Sequence, residues 1–222
     1  MNAETWVIAR FTVTMAALAT VLVLPPAIAV GWVLARREFR GKALLETIVS
    51  LPLVLPPVAS GLMLLWLFGR RSPFGRALDA AGIEVVFTWK AVVIAMMVIS
   101  FPLVARSVRA GIEQVDRRFE QIAATLGAGP FRIVRTVTLP LASRGIIAGA
   151  ILGFSRALGE FGATIMIAGA IPGQTQTLAV GIYTLVETGR EDAAWSLVVV
   201  SAVLAFAAIY LSNRLTERRA VA

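Results

Sequence analysis

Long apolar runs alternate with short polar ones along this chain. Five stretches, at 11–35, 47–69, 85–105, 145–169 and 193–213, carry almost no charge. Each approaches or exceeds the ~20 residues that a helix needs to cross a bilayer. They predict about five transmembrane helices within one all-α domain over 7–214. A softer apolar piece, 176–186, is too short to span. Lys90 stands near one end of the third run, within snorkelling reach of water. The first run is longer than a signal-peptide core, ends in "ARREFRGK" and has no basic segment before it, so it reads as a retained span.

A different pattern fills 115–140, between the third and fourth runs. Val115, Phe119, Ile122, Ala123 and Leu126 recur at helical spacing and predict one face of a short amphipathic helix. Gly127 can take the left-handed shape that closes a helix, and Pro130 blocks continuation. A second helical piece, Phe131 to Val137, leads to Leu139 and Pro140. About three turns of helix are marginal alone in water, so something must cover the apolar face. Lipid headgroups and the groove of a partner protein both fit that need.

Composition agrees with a membrane class. Hydrophobic residues make up 58% of 222 and charged residues 15%, against about 45–50% and about 25% in soluble domains. Mean hydropathy is +0.82. With no Cys and no His, thiolate and imidazole chemistry is absent, and neither a catalytic nor a metal site is expected.

The +8 net charge is a topology signal rather than a nucleic-acid surface. Four basic residues lie in 36–42, seven arginines in 106–144, and Arg214, Arg218 and Arg219 in the tail: fourteen on one side. The other side has six: Arg10, Arg70, Arg71, Arg76, Lys90 and Arg190. The positive-inside rule therefore places the N-terminus outside and the C-terminus in the cytoplasm. The segment 115–140 is then cytoplasmic.

In that segment the residues resemble a known family. Permease subunits of binding-protein-dependent ABC importers carry a cytoplasmic motif: Glu-Ala-Ala, three residues, Gly, nine residues, Ile, one residue, Leu-Pro. Here Gly127 is followed by nine residues and then Val137, Thr138, Leu139 and Pro140. The Glu-Ala-Ala positions fall on Gln121, Ile122 and Ala123, so two of three depart, and Glu120 stands one place early. The stretches 39–61, 100–116 and 155–178 resemble the molybdate branch, with tungstate and sulfate permeases as related branches. The resemblance implies a type I importer permease fold in the cell inner membrane and a homodimer. It also implies an external substrate-binding protein and an ATP-hydrolysing subunit into which 115–140 seats as the coupling segment. ATP and Mg belong to that partner. No phosphate-cradling Gly-x-x-x-x-Gly-Lys motif occurs, and the only lysines, Lys42 and Lys90, follow no glycine-rich loop.

Two intramembrane features are candidates for the pathway or its gate. Pro52, Pro56 and Pro57 interrupt the second run and are expected to free the carbonyls of Ile48, Pro52 and Leu53. Freed carbonyls are tolerated at depth only beside a cavity or neighbouring helices, so pathway lining and a packed kink both fit. Arg156 and Glu160 are four apart on one helix face, near the cytoplasmic third of the fourth run, with Ser155 and Thr164 as nearby hydroxyls. A structural ion pair and a place in an anion's path are both open. Gly145, Gly149, Gly153 and Ala157 form a small-residue stripe for close helix packing, within the chain or against a second copy. An ion-coupled secondary transporter is the competing class. It would use membrane carboxylates, of which Glu160 is the clear one, and the chain lacks an inverted repeat. A purely structural membrane protein would need neither the prolines nor the charge pair.

Overall fold

The computed structural model describes residues 3–217. Arg218 and Arg219 of the basic tail lie outside the described residues. Every regular element described is helical. Among the described residues three helices are long and apolar enough to cross a membrane, or up to five if each of two sharply bent pairs, Lys42–Val54 with Pro57–Phe68 and Pro130–Leu141 with Ser143–Leu158, counts as one span.

The long helices are α1 (Ala3–Arg36), α5 (Trp89–Glu113) and α12 (Glu191–Glu217). They match three of the five expected runs: α1 and α12 extend theirs at both ends, whereas α5 starts four residues later than its run and ends eight later. At about 1.5 Å per residue α1 reaches about 50 Å, well beyond the ~30 Å hydrocarbon core. Pro25 and Pro26 stay inside α1 without ending it.

The other two runs are not single helices. The run 47–69 divides into α2 (Lys42–Val54) and α3 (Pro57–Phe68), bent by 110°. Pro52 remains within α2, and Leu55 N–H still reaches Leu51 O at 3.0 Å. The break falls at Leu55 and Pro56, because the consecutive prolines Pro56 and Pro57 remove two donors and Pro57 is well placed to begin a new helix. The run 145–169 divides into α9 (Ser143–Leu158) and α10 (Gly162–Ala168), separated by Gly159, Glu160 and Phe161. A further short helix, α4 (Pro73–Ala80), occupies the expected loop between the second and third runs. Ser72 caps it, accepting from Gly75 N–H at 2.7 Å.

α5 is the centre of the fold. Met96, Ile99, Val104, Val108 and Ile112 are fully buried between α1 and α9. The stripe on α9 faces α5 of the same chain, which answers the question its spacing left open. A Cβ on Gly145 would lie 2.6 Å from Gly111 Cα, and one on Gly153 2.5 Å from Val104 Cγ2. Only glycine permits that approach. Ser107 Oγ seals it by donating to Gly145 O at 2.9 Å.

The segment after α5 holds α6 (Arg117–Thr125) and α7 (Pro130–Ile133), then a π-helical turn (Val134–Thr138) and α8 (Leu139–Leu141). The π turn explains why the second helical piece does not run straight to Val137. Pro140 cannot donate and its ring would clash one turn back, and widening the preceding turn accommodates it. Last, α11 (Leu178–Glu187) is the short apolar piece. Thr177 caps it from within, and Thr12 of α1 accepts from Leu178 N–H at 2.9 Å.

Candidate functional site

Two sites emerge, at opposite ends of α9. The first lies where the broken runs meet. α3 packs directly on α10: a Cβ on Gly61 would stand 2.7 Å from Ala163 Cα, and one on Gly162 would stand 2.8 Å from Pro57 Cβ. The structure thus joins the two pathway candidates, the prolines of one run and the charge pair of the other. Pro56 and Pro57 are exposed, while Pro52 is partly buried and stays in regular helix.

Arg156 and Glu160 pair at 2.9 Å, as their spacing predicts. Glu160 is 1% exposed and Arg156 about a third. The carboxylate also accepts from Ala163 N–H at 2.8 Å, so it caps the first turn of α10. Glu160 stands in the break, not in a continuous helix. Arg156 is thirteen residues past Ser143, or about 20 Å along the axis of α9. Phe161 packs on Tyr183 of α11 with ring centroids 5.0 Å apart. Ser155 is half-buried on α9, whereas Thr164 is fully buried on α10.

The far end of α10 meets the loop before α5. Phe87 is the one non-glycine residue with positive φ among the described residues, at 60°, and its N–H donates to Ile167 O at 3.1 Å.

The second site is 117–141. Asp116 caps α6 by accepting from Arg118 N–H at 2.9 Å. The helix closes with Gly127 at φ 82°. Gly127 N–H reaches Ala124 O and Ala128 N–H reaches Ala123 O, both at 3.0 Å, which is a complete Schellman closure. The expected apolar face divides. Val115 precedes the helix and is 6% exposed. Phe119 and Ile122 are more than half exposed, Leu126 is 83% exposed and Phe131 79%. Gln121 is exposed beside them, and Ala123 is half-covered. Leu139 is half-buried and Pro140 exposed.

Sequence reasoning missed the strap that orients this face. Arg36, at the end of α1, donates through Nε to Glu120 Oε1 at 3.1 Å and through Nη2 to Val115 O at 2.9 Å. Thr138 Oγ1, in the π turn, donates to the same Glu120 oxygen at 2.6 Å. The acid displaced from the motif thus joins α1, α6 and the π turn. Nearby, Lys42 donates to Glu38 at 2.7 Å and holds that carboxyl below the usual carboxylate range. Arg36 thus ties the end of α1 to the segment after α5, and Phe87 ties the loop before α5 to the end of α10.

Residues 27–221 match the model of the family described as binding-protein-dependent transport system inner membrane component. The chain belongs to that family. It is 44% identical over 220 residues to the molybdenum transport system permease protein ModB of Escherichia coli K12, covering 97% of this chain and 96% of that one. A putative molybdenum permease of Bacillus subtilis, YvgM, is 40% identical over 197 residues, covering 88% and 87%. The sulfate permease CysW of Synechocystis is 34% identical over 209, covering 94% and 76%. Among solved structures, the inward facing MetNI methionine ABC transporter aligns over all of both chains with TM-score 0.72 at 20% identity. A bacterial alginate ABC transporter aligns with TM-score 0.75 at 16% identity, covering 98% and 80%. The fold is that of type I ABC importer permeases, as the motif implied.

Proposed function

We propose that this chain is the inner-membrane permease subunit of an ATP-driven oxyanion importer whose substrate is molybdate. The observation that carries the substrate is similarity to molybdenum permeases of two distant bacteria over nearly the whole chain. Tungstate shares molybdate's shape and charge and is the first alternative. Sulfate is the second, favoured by the weaker similarity to a sulfate permease.

The geometry supports a division of labour. The uncovered face of Phe119, Ile122 and Leu126, held outward by the Arg36–Glu120 strap, suits a groove in an ATP-hydrolysing partner. ATP and Mg are handled there, and the chain itself carries out no hydrolysis. Gln121, Ala123, Gly127, Leu139 and Pro140 shape that face. The junction of α3 and α10, with Pro52, Pro56, Pro57, Ser155, Arg156, Glu160 and Thr164 around it, lines or gates the path. Arg156 is paired, so it does not present the bare cation that would trap a dianion. A second copy of this chain completes the path, and an external substrate-binding protein delivers the anion to the end near Phe87. The transmembrane domain spans 7–214, with the N-terminus outside and the C-terminus cytoplasmic.

Uptake of labelled molybdate by cells lacking this chain tests the substrate. Loss of high-affinity uptake, restored by the gene, supports it, while intact molybdate uptake with lost sulfate uptake reassigns the chain. Because the chain has no Cys, Gln121→Cys gives a unique thiol. Labelling of intact cells by an impermeant external reagent would overturn the orientation.

A further inference from the structure

Several buried hydroxyls inside the helices share one habit. Thr12, Thr20 and Ser100 each donate back to the carbonyl four residues earlier, at 2.7–2.8 Å. That bond satisfies a hydroxyl inside a helix without a distant partner. Ser60 and Thr164 break the habit. They are 5% and 0% exposed, and neither hydroxyl finds a hydrogen-bond partner among the described residues.

Their positions share a cause. Four residues before Ser60 is Pro56, and four before Thr164 is Glu160. Both are break residues, where the backbone has left the helical path. Pro56 O is further occupied by the N–H groups of Ala59 and Ser60, at 2.9 and 3.1 Å. Each orphan therefore sits in the opening turns of a half-helix that restarts after a break. The two half-helices pack on each other through the residues beside the orphans, Gly61 against Ala163. Two unrelated breaks have placed the same unpaired group on both sides of one glycine-lined seam.

An unpartnered buried hydroxyl destabilises the fold, and an apolar isostere would remove the penalty. Its presence at both places points to a partner met during the working cycle. That partner has to accept hydrogen bonds. The charges nearby are already matched, since Glu160 takes both Arg156 and Ala163 N–H. Ser60 also lies near the N-terminal, partially positive end of the twelve-residue α3. Neutral donors beside such an end favour an anion without holding it as a fixed cation would.

We propose that the hydroxyls of Ser60 and Thr164 are donors to the transported oxyanion, sealed in the α3–α10 seam and offered when the seam opens. The assignment rests on the oxyanion reading above and adds which groups touch the anion.

The test uses the complete complex, reconstituted in vesicles with its ATPase and binding protein, carrying Ser60→Ala, Thr164→Val or Thr164→Ser. Molybdate flux per complex is read beside ATP hydrolysis and thermal stability. Each lost donor to a charged group should lower maximal flux about tenfold or more. Half-saturation, set by the external binding protein, should hold. Thr164→Val should be at least as heat-stable as wild type, and Thr164→Ser should keep most of the flux. Wild-type flux in both apolar variants overturns the proposal. So does a Thr164→Val complex that fails to assemble, because its hydroxyl then has a structural partner. Loss of flux in Thr164→Ser equal to that in Thr164→Val also overturns it, since the methyl would be the group that matters. A wild-type complex inert to molybdate, tungstate and sulfate sinks the oxyanion reading itself, whereas active wild type with active variants sinks only the hydroxyl pair.

Discussion

Among the glutamates that hold an arginine, one stands inside the broken run and one at the foot of the exposed segment. Glu160 does everything within eight residues: Arg156 on one side, Ala163 N–H on the other, and 1% exposure. Glu120 gathers groups from far along the chain, Arg36 from 84 residues away and Thr138 from 18, and its side chain keeps 19% of its surface. The first consumes its charge to satisfy a backbone that lipid would leave unpaired. The second spends its charge on orientation, fixing α6 so that its apolar side stays open. A carboxylate at depth closes a local wound, and one at the edge aims a surface at something else.

The sharpest way to break the contrast is at Arg156. Arg156→Met leaves a buried carboxylate without its cation and should cost about 3–5 kcal/mol, read as lost heat stability of the detergent-solubilised protein. Adding Glu160→Gln should recover most of that, because the amide oxygen still accepts from Ala163 N–H. Adding Glu160→Leu should recover less, leaving the N–H bare at about 1–3 kcal/mol. Equal recovery by Gln and Leu would mean that the cap contributes nothing, and that the ion pair alone explains Glu160.

At the strap the effect should be smaller and of a different kind. Arg36→Met loses bonds to Glu120 and to Val115 O, about 1.5–3 kcal/mol for a charged donor and toward the lower figure where solvent reaches. The Arg36–Glu120 contribution should fall as salt rises from low to physiological strength, while that of Arg156–Glu160 should barely move. The larger loss should appear in ATPase activity coupled to transport, since a tilted α6 misdirects the docking face. Identical salt dependence at the two pairs would erase the distinction drawn between them.

Local chemistry made much of this legible before any coordinates. The close of α6, the left-handed Gly127 and the Arg156–Glu160 contact all follow from spacings of five residues or fewer. α4 was equally readable, because Ser72 followed by Pro73 is a cap and a helix start, yet the polar residues around it read as loop. What stayed hidden needed a second surface. Prolines announce that hydrogen bonds are lost at 52–57, but the 110° turn depends on Gly61 and Gly162 letting α3 lie on α10. The stripe on α9 announces close packing, but not that Gly111 waits opposite. Arg36 was counted as a topology charge, and nothing local ties it to Glu120.

The two sites also end their helices differently, and Gly127 tests that. Where α9 gives way to α10 a side chain closes the gap, whereas α6 is closed by backbone alone. A Cβ on Gly127 would meet nothing within 4 Å, so a substitution strains only φ. Gly127→Ala should cost about 1–2 kcal/mol, confined to the last turn of α6. Gly127→Asn, which tolerates left-handed backbone, should cost less. Amide exchange at Gly127 and Ala128 reads the closure directly. Equal protection in the Ala variant and wild type would show that the Schellman bonds do not depend on glycine.

The smallest effect on the chain itself should come from the most exposed apolar residues, and there the contrast has its cleanest form. Phe119→Ser and Leu126→Ser remove apolar groups that are 55% and 83% exposed, so heat stability should shift little, and for Leu126 by no more than about 0.5 kcal/mol. Val115→Ser, on the same helical repeat but 6% exposed and seated against the α1–α5 core, should destabilise the chain clearly. Association with the ATPase subunit should follow the opposite order, failing in the Phe119 and Leu126 variants. Co-purification of the ATPase with each variant, set beside its melting temperature, separates the two. If Leu126→Ser lowers the melting temperature of the isolated chain as Val115→Ser does, the face is structural and the partner is unnecessary. If it leaves both stability and ATPase association intact, α6 is not the docking surface.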